Sequence, residues 1–208
     1  MKTFLTTLFA ALLACPLFAL EVKELLIVGD GMTKNAPMPE IGWNGNWGFA
    51  ASSEDKDYAH LLLAKIKASS SAAKLTLDNI MYEDTMTGWV HLVPNSADVV
   101  IIQLGDNYKG GVSPEEYQNA YQQMIEELRG DSAKTVICIG PWQNAKIEPF
   151  IARAAQKAKA RFVSLRALAN DPANHAPVDP KFPKLAEAPN DRGMAAIADA
   201  VWQVLNQK

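Results

Sequence analysis

The chain has 208 residues, 49% of them hydrophobic and 21% charged, with a net charge of −3. That length and composition fit one globular domain with a full core and exclude a disordered or low-complexity chain. The charges are dispersed, which excludes the electrostatic footprint of a nucleic-acid binder or of a protein that rides an anionic membrane.

The first residues read as a targeting segment. Lys2 supplies a positive start, Phe4 to Ala14 an apolar stretch, and Leu17-Phe18-Ala19 a site for cleavage after Ala19. This predicts a signal peptide over 1–19, a secreted or periplasmic protein, and a single domain over 20–208. The apolar stretch is too short for a membrane span. Leu12-Leu13-Ala14-Cys15 offers a different address, a lipid anchor on Cys15. After cleavage only Cys138 remains, so no intrachain disulfide can form.

An apolar run, Leu25 to Val28, ends in Gly29-Asp30 and predicts the first strand. Residues 31–53 carry Trp43, Trp47 and clustered Pro and Gly without periodicity, which predicts a long loop. Apolar spacing of 3–4 residues predicts a helix over 54–68, capped by Ser53. Residues 73–82 predict a strand. Asp98 to Leu104 is continuously apolar in its middle, the pattern of a parallel strand covered on both faces. Ser113-Pro114-Glu115-Glu116 opens a helix that Gly130 stops. Further strands are predicted over 134–139, where Cys138 is a buried small hydrophobe, and over 162–165. Helices are predicted over 148–160 and 191–206. Between them, 170–189 is a loop with five prolines. Strands alternating with helices predict a three-layer α/β/α sandwich with a mostly parallel sheet. Right-handed crossovers then bring the strand ends at 30–31, 106–107 and 140–143 to one rim.

Four segments in order resemble the SGNH (GDSL) hydrolases. They are Val28-Gly29-Asp30-Gly31-Met32-Thr33, Trp47-Gly48-Phe49-Ala50-Ala51-Ser52-Ser53, Gly105-Asp106-Asn107, and Ala188-Pro189-Asn190-Asp191-Arg192-Gly193-Met194. The resemblance implies a flavodoxin-like α/β fold, ester hydrolysis, and an oxyanion hole built from Gly48, Asn107 and the Gly31 amide. The departures fall on the reacting groups. Gly31 stands at the position of the nucleophilic Ser, Ala188 at that of the basic His, and Leu185 at that of its Asp partner. Tyr108 replaces an Asp of the third segment. Serine-type hydrolysis needs a hydroxyl, a base in reach and an oxyanion hole. Only the third survives in the sequence, so the resemblance implies a fold without its reaction.

Other residues bear on what remains. Thr33 is the hydroxyl nearest the lost Ser and His175 lies in the loop leading to Ala188. As a displaced pair they would make an active ester hydrolase with a non-standard nucleophile, the alternative to a pseudoenzyme. A cell-envelope scaffold with a vestigial cleft is the third reading. Thr33 also reads as a capping residue, His60 as a helix-surface or core-edge residue, and His91 as a strand or loop residue. Asp30 is expected to gather loop amides. Trp43, Asn44, Asn46 and Trp47, with Trp89 and Trp142, suit either sugar rings or loop packing. The cleft is therefore expected to take an acyl or carbohydrate ligand. No cofactor is predicted, and no His, Cys or Asp spacing predicts a metal.

Overall fold

The computed structural model describes residues 21–80, 96–130 and 135–207. The predicted signal segment and Cys15 lie outside the described residues, as do His91 and Trp89.

Five strands form one sheet: β1 Glu24–Gly29, β2 Lys74–Asn79, β3 Val99–Gln103, β4 Thr135–Ile139 and β5 Arg161–Val163. Their order is β2-β1-β3-β4-β5, and every pair is parallel. The helices are α1 Tyr58–Lys67, α2 Pro114–Arg129, α3 Glu148–Lys157, the single turn α4 Arg166–Ala169, and α5 Asp191–Leu205.

Side-chain alternation along the central strands divides the core in two. Leu25, Ile27, Val99, Ile101, Ile137 and Ile139 face a layer made by α1 and α5. Leu26, Val28, Val100, Ile102, Val136 and Cys138 face α2 and α3. Both faces are covered, which is why β3 is apolar at nearly every position. Each large apolar side chain so buried contributes about 1.5–3 kcal/mol.

The first helix begins later than its apolar spacing predicts. Glu54–Lys56 forms a 3-10 turn, and Asp57, in extended conformation, is the cap of α1. The Ser53 hydroxyl instead donates to Asp55 at 2.5 Å. The buried Asp57 carboxylate accepts from the His60 N–H at 2.8 Å, which a hydroxyl four residues earlier cannot match. The last strand is only three residues long, and the chain turns at once into α4, which the sequence pattern did not separate from loop. α2 carries a full capping box, Ser113 with Glu116.

Candidate functional site

The strand order reverses between β1 and β3, because β1 has β2 on one side and β3 on the other. In open α/β sheets ligands bind outside the carboxyl ends of the strands at such a switch point. The residues there are Asp30 and Gly31 after β1 and Asp106 and Asn107 after β3.

The turn after β1 is held from inside. Asp30 is buried; its Oδ1 accepts from the Met32 N–H at 2.9 Å and its Oδ2 from Gln103 Nε2 at 3.2 Å. The Asp30 carbonyl accepts from the N–H groups of Thr33 and Lys34. Thr33 Oγ1 donates to Gln103 Oε1 at 3.0 Å, so Tyr58 is the donor in its 2.5 Å contact with Thr33. This ordered chain runs Tyr58, Thr33, Gln103, Asp30. Burial pushes the Tyr58 phenol far up, which keeps it a donor.

The turns after β3 and β4 are clamped together by Asp106. Its carboxylate accepts from the backbone N–H groups of Trp142 at 3.0 Å, Gln143 at 2.7 Å and Asn144 at 3.3 Å. Burial holds the Asp106 carboxyl above the usual carboxylate range, against the pull of these amides. Trp142 Nε1 and Gln143 Nε2 both donate to the Glu187 carbonyl, at 3.1 and 2.9 Å. That ties the loop carrying Ala188 to the same rim.

These turns enclose a cleft of about 340 Å³, lined by Gly31 and Asn107 with Ala188 beside them. One wall is apolar, from Met38, Ile41, Phe49 and Trp142. The other polar lining residues are Asp30 and Asp106, the amides of Asn35 and Gln143, and the charged Lys184 and Glu187. Among the described lining residues there is no hydroxyl, thiol or imidazole. The Gly31 carbonyl accepts from the Phe49 N–H at 2.9 Å, and its own N–H makes no hydrogen bond among the described residues.

Several residues singled out in the sequence fall elsewhere. The Gly48 N–H, expected in an oxyanion hole, donates to Asp57 Oδ2 at 3.1 Å, and Gly48 does not line the cleft. A buried carboxylate is a stronger acceptor than a transient ligand, and Gly48 is packed against Met32, Asp57 and Met194. Thr33 and His175 are not brought together. Thr33 is fully buried in the network under the cleft. His175 lines a neighbouring cavity that shares Trp142 with the cleft. Its Nε2 donates to the Ala169 carbonyl at 2.7 Å, and its ring lies 5.3 Å from that of Trp142. Trp47 is half-buried and outside the cleft; its Nε1 donates to the Ala51 carbonyl, and its ring packs edge-on against Trp43. Trp43 in turn packs against Phe49, so the two tryptophans fasten the long loop. Asn44 and Asn46 are exposed on it and do not line the cleft. Leu185 lies in the 3-10 turn Pro183–Glu187, and the Tyr108 hydroxyl donates to the Val112 carbonyl. Cys138 is buried, and burial pushes its thiol up to about 12, so it is not a nucleophile. His60 sits on α1 with Nδ1 donating to Asp57 at 2.9 Å. Among the described residues no His, Cys, Asp or Glu cluster is placed to hold a metal ion.

Gln143 lies in the 140–143 turn expected at the rim, whereas Asn35 and Phe49 are cleft residues that the sequence did not single out. Nothing in their local pattern marks them, because each is brought in by a loop whose path is set by contacts distant in sequence.

No family model and no curated protein matches the chain. Solved structures do. A protein described as lipolytic and of the G-D-S-L family, from Desulfitobacterium hafniense DCB-2, aligns with a TM-score of 0.56 at 14% identity, over 88% of this chain and 99% of that one. A two-domain esterase active on acetylated mannans gives 0.59 at 15% identity, over 89% of this chain. This chain spans 49% of that esterase. A family two carbohydrate esterase from Cellvibrio japonicus gives 0.55 at 18% identity, over 89% of this chain and 61% of that one. The fold is therefore that of the SGNH hydrolases: a flavodoxin-like α/β domain with its rim at the β1/β3 switch point. At these identities the likeness speaks for the fold and is silent on the reaction.

Proposed function

We propose that this protein is an exported SGNH-hydrolase-like domain that binds an acyl or carbohydrate ligand in the Gly31–Asn107 cleft without hydrolysing it by the serine mechanism. One observation carries the reading. The cleft sits where this fold does its chemistry, yet its described lining holds neither a hydroxyl nor an imidazole. Covalent hydrolysis lacks both its nucleophile and the base that contributes about 10²–10⁴-fold. Gly31 at the end of β1 and Ala188 before α5 are the two substituted positions.

What is left is a binding site. The wall of Met38, Ile41 and Phe49 suits the apolar face of a sugar ring or a short acyl chain. The amides of Asn35, Asn107 and Gln143 suit hydroxyl or carbonyl edges. Two of the solved neighbours are named as esterases of acetylated mannan and of carbohydrate, which favours a glycan-related ligand. The amino-terminal segment supports export, with an anchor on Cys15 as the other address; among the described residues no helix is long and apolar enough to cross a membrane.

The test uses p-nitrophenyl acetate and acetylated manno- and xylo-oligosaccharides. The expected outcome is no turnover above buffer, with a rise in melting temperature for ligands that bind. Turnover that is lost in Thr33→Ala or His175→Ala would overturn the reading in favour of a displaced nucleophile. No turnover and no thermal shift with any glycan or acyl probe would leave a scaffold instead.

A further inference from the structure

We propose that Asn35 decides what the cleft accepts. Its Oδ1 receives a saccharide hydroxyl at the place where a hydrolase of this fold presents its nucleophile, so the free saccharide is preferred over its O-acetyl ester. This rests on the reading of the cleft as a carbohydrate site and names the form of ligand it selects.

The space beside Gly31 is not empty of chemistry. A Cβ placed on Gly31 would have as its three nearest heavy atoms Asn35 Oδ1 at 3.0 Å, Cγ at 3.6 Å and Cβ at 3.9 Å. The Asn35 side chain thus stands next to the point from which a serine hydroxyl would project. Its orientation is settled by its neighbours. Nδ2 donates to the Ala36 carbonyl at 2.9 Å and lies 3.4 Å from the Met38 sulfur, and both partners can only accept. The amide nitrogen is therefore the atom turned toward the loop, and Oδ1 is the atom beside Gly31. Oδ1 accepts no hydrogen bond among the described residues.

An acceptor at this position reverses the requirement of an esterase. A hydrolase presents a hydroxyl to an ester carbon there. Asn35 presents a lone pair, which needs a donor. A sugar hydroxyl supplies one. An acetyl ester supplies only two acceptor oxygens and a methyl group, so it sets oxygen against oxygen and leaves Oδ1 without a partner. The apolar wall from Phe49 and Met38 can take a ring face in either case, so Asn35 is the group that separates the two forms.

The experiment measures binding by calorimetry. Manno-, xylo- and gluco-oligosaccharides are each used free and O-acetylated, with the wild-type domain, Asn35→Ala and Asn35→Leu. The Ala variant removes the amide outright, and the Leu variant keeps the branching of Asn35 while putting methyl groups in place of its polar atoms. The backbone N–H of Asn35 donates to the Trp47 carbonyl and its carbonyl accepts from Trp43 Nε1; both bonds survive any side chain. In the wild type a free oligosaccharide binds about 10-fold or more tightly than its acetylated partner. Both variants bind the free form about 3- to 10-fold more weakly and lose the preference. Equal affinity for the two forms in the wild type, or a preference that persists in both variants, overturns the role of Asn35 and leaves the ligand cleft standing. Binding of neither form by the wild type overturns the carbohydrate site itself.

Discussion

In the reading proposed above, Gly31 and Ala188 stand where a hydrolase of this fold would carry Ser and His, and the surroundings of the two differ. Ala188 is buried on the cleft wall, with its carbonyl accepting from the Ala176 N–H. Gly31 has a backbone that tolerates a side chain, for its nearest obstacle is the tip of Asn35 and not main chain. A serine placed there would still meet an amide oxygen able to accept a hydrogen bond from its hydroxyl. Restoring the reacting groups alone, with Gly31→Ser and Ala188→His, is thus expected to leave p-nitrophenyl acetate hydrolysis near background. Adding Asn35→Ala is expected to lift it by about 10²-fold, the low end of what a positioned base supplies. A triple variant no faster than the wild type would mean that the two loops no longer hold hydrolase geometry. Identity at these positions was legible in the sequence. The acceptor facing Gly31 was not, because it comes from the direction of one side-chain amide.

At the level of elements, the entry to α1 shows what one buried carboxylate can organise. Asp57 caps the helix through the His60 N–H, accepts from the Gly48 N–H and pairs with the His60 ring. That hydrogen bond raises the His60 pKa above its ordinary value of 6.5, against the effect of partial burial, with further help from the charges of Asp57 and Glu54. A raised folded value means that the protonated ring stabilises the fold. Its contribution is complete below about pH 6.5 and is lost as pH rises through the folded value. The melting-temperature difference between the wild type and His60→Gln should therefore be larger at pH 5.5 than at pH 9. A difference independent of pH would show that the pair contributes through packing alone. The helix itself was readable from its apolar spacing. Its start was not, because the Asp57 carboxylate that caps it is also held by the Gly48 N–H, a contact from outside the helix.

For the whole molecule, the doubly wound sheet sets the site at one rim, and nothing in that architecture depends on catalysis. The strands β1, β3 and β4 are buried on both faces, so the domain keeps its core whatever occupies the cleft. A ligand that binds only the folded state must raise its stability, by about 2.7 kcal/mol at a hundred times its dissociation constant. For a domain of this length that is a shift of roughly 5–10 °C. Differential scanning fluorimetry against the glycan and acyl panel checks it directly. A ligand whose shift is abolished by the bulky substitution Ala188→Trp lies in the cleft; one whose shift is unchanged binds elsewhere.

The sequence by itself determined the parallel α/β domain and the absence of hydroxyl and imidazole at positions 31 and 188. Those are matters of covalent identity and of apolar pattern along single segments. Only the tertiary structure decided which hydrogen-bonding groups remain for a ligand. Gly48 and Thr33 are drawn to Asp57, Tyr58 and Gln103, and His175 to Ala169, while Asn35 keeps an acceptor beside Gly31. The physical reason is that a polar group is available only after its neighbours have been served, and those neighbours are set by packing across the fold.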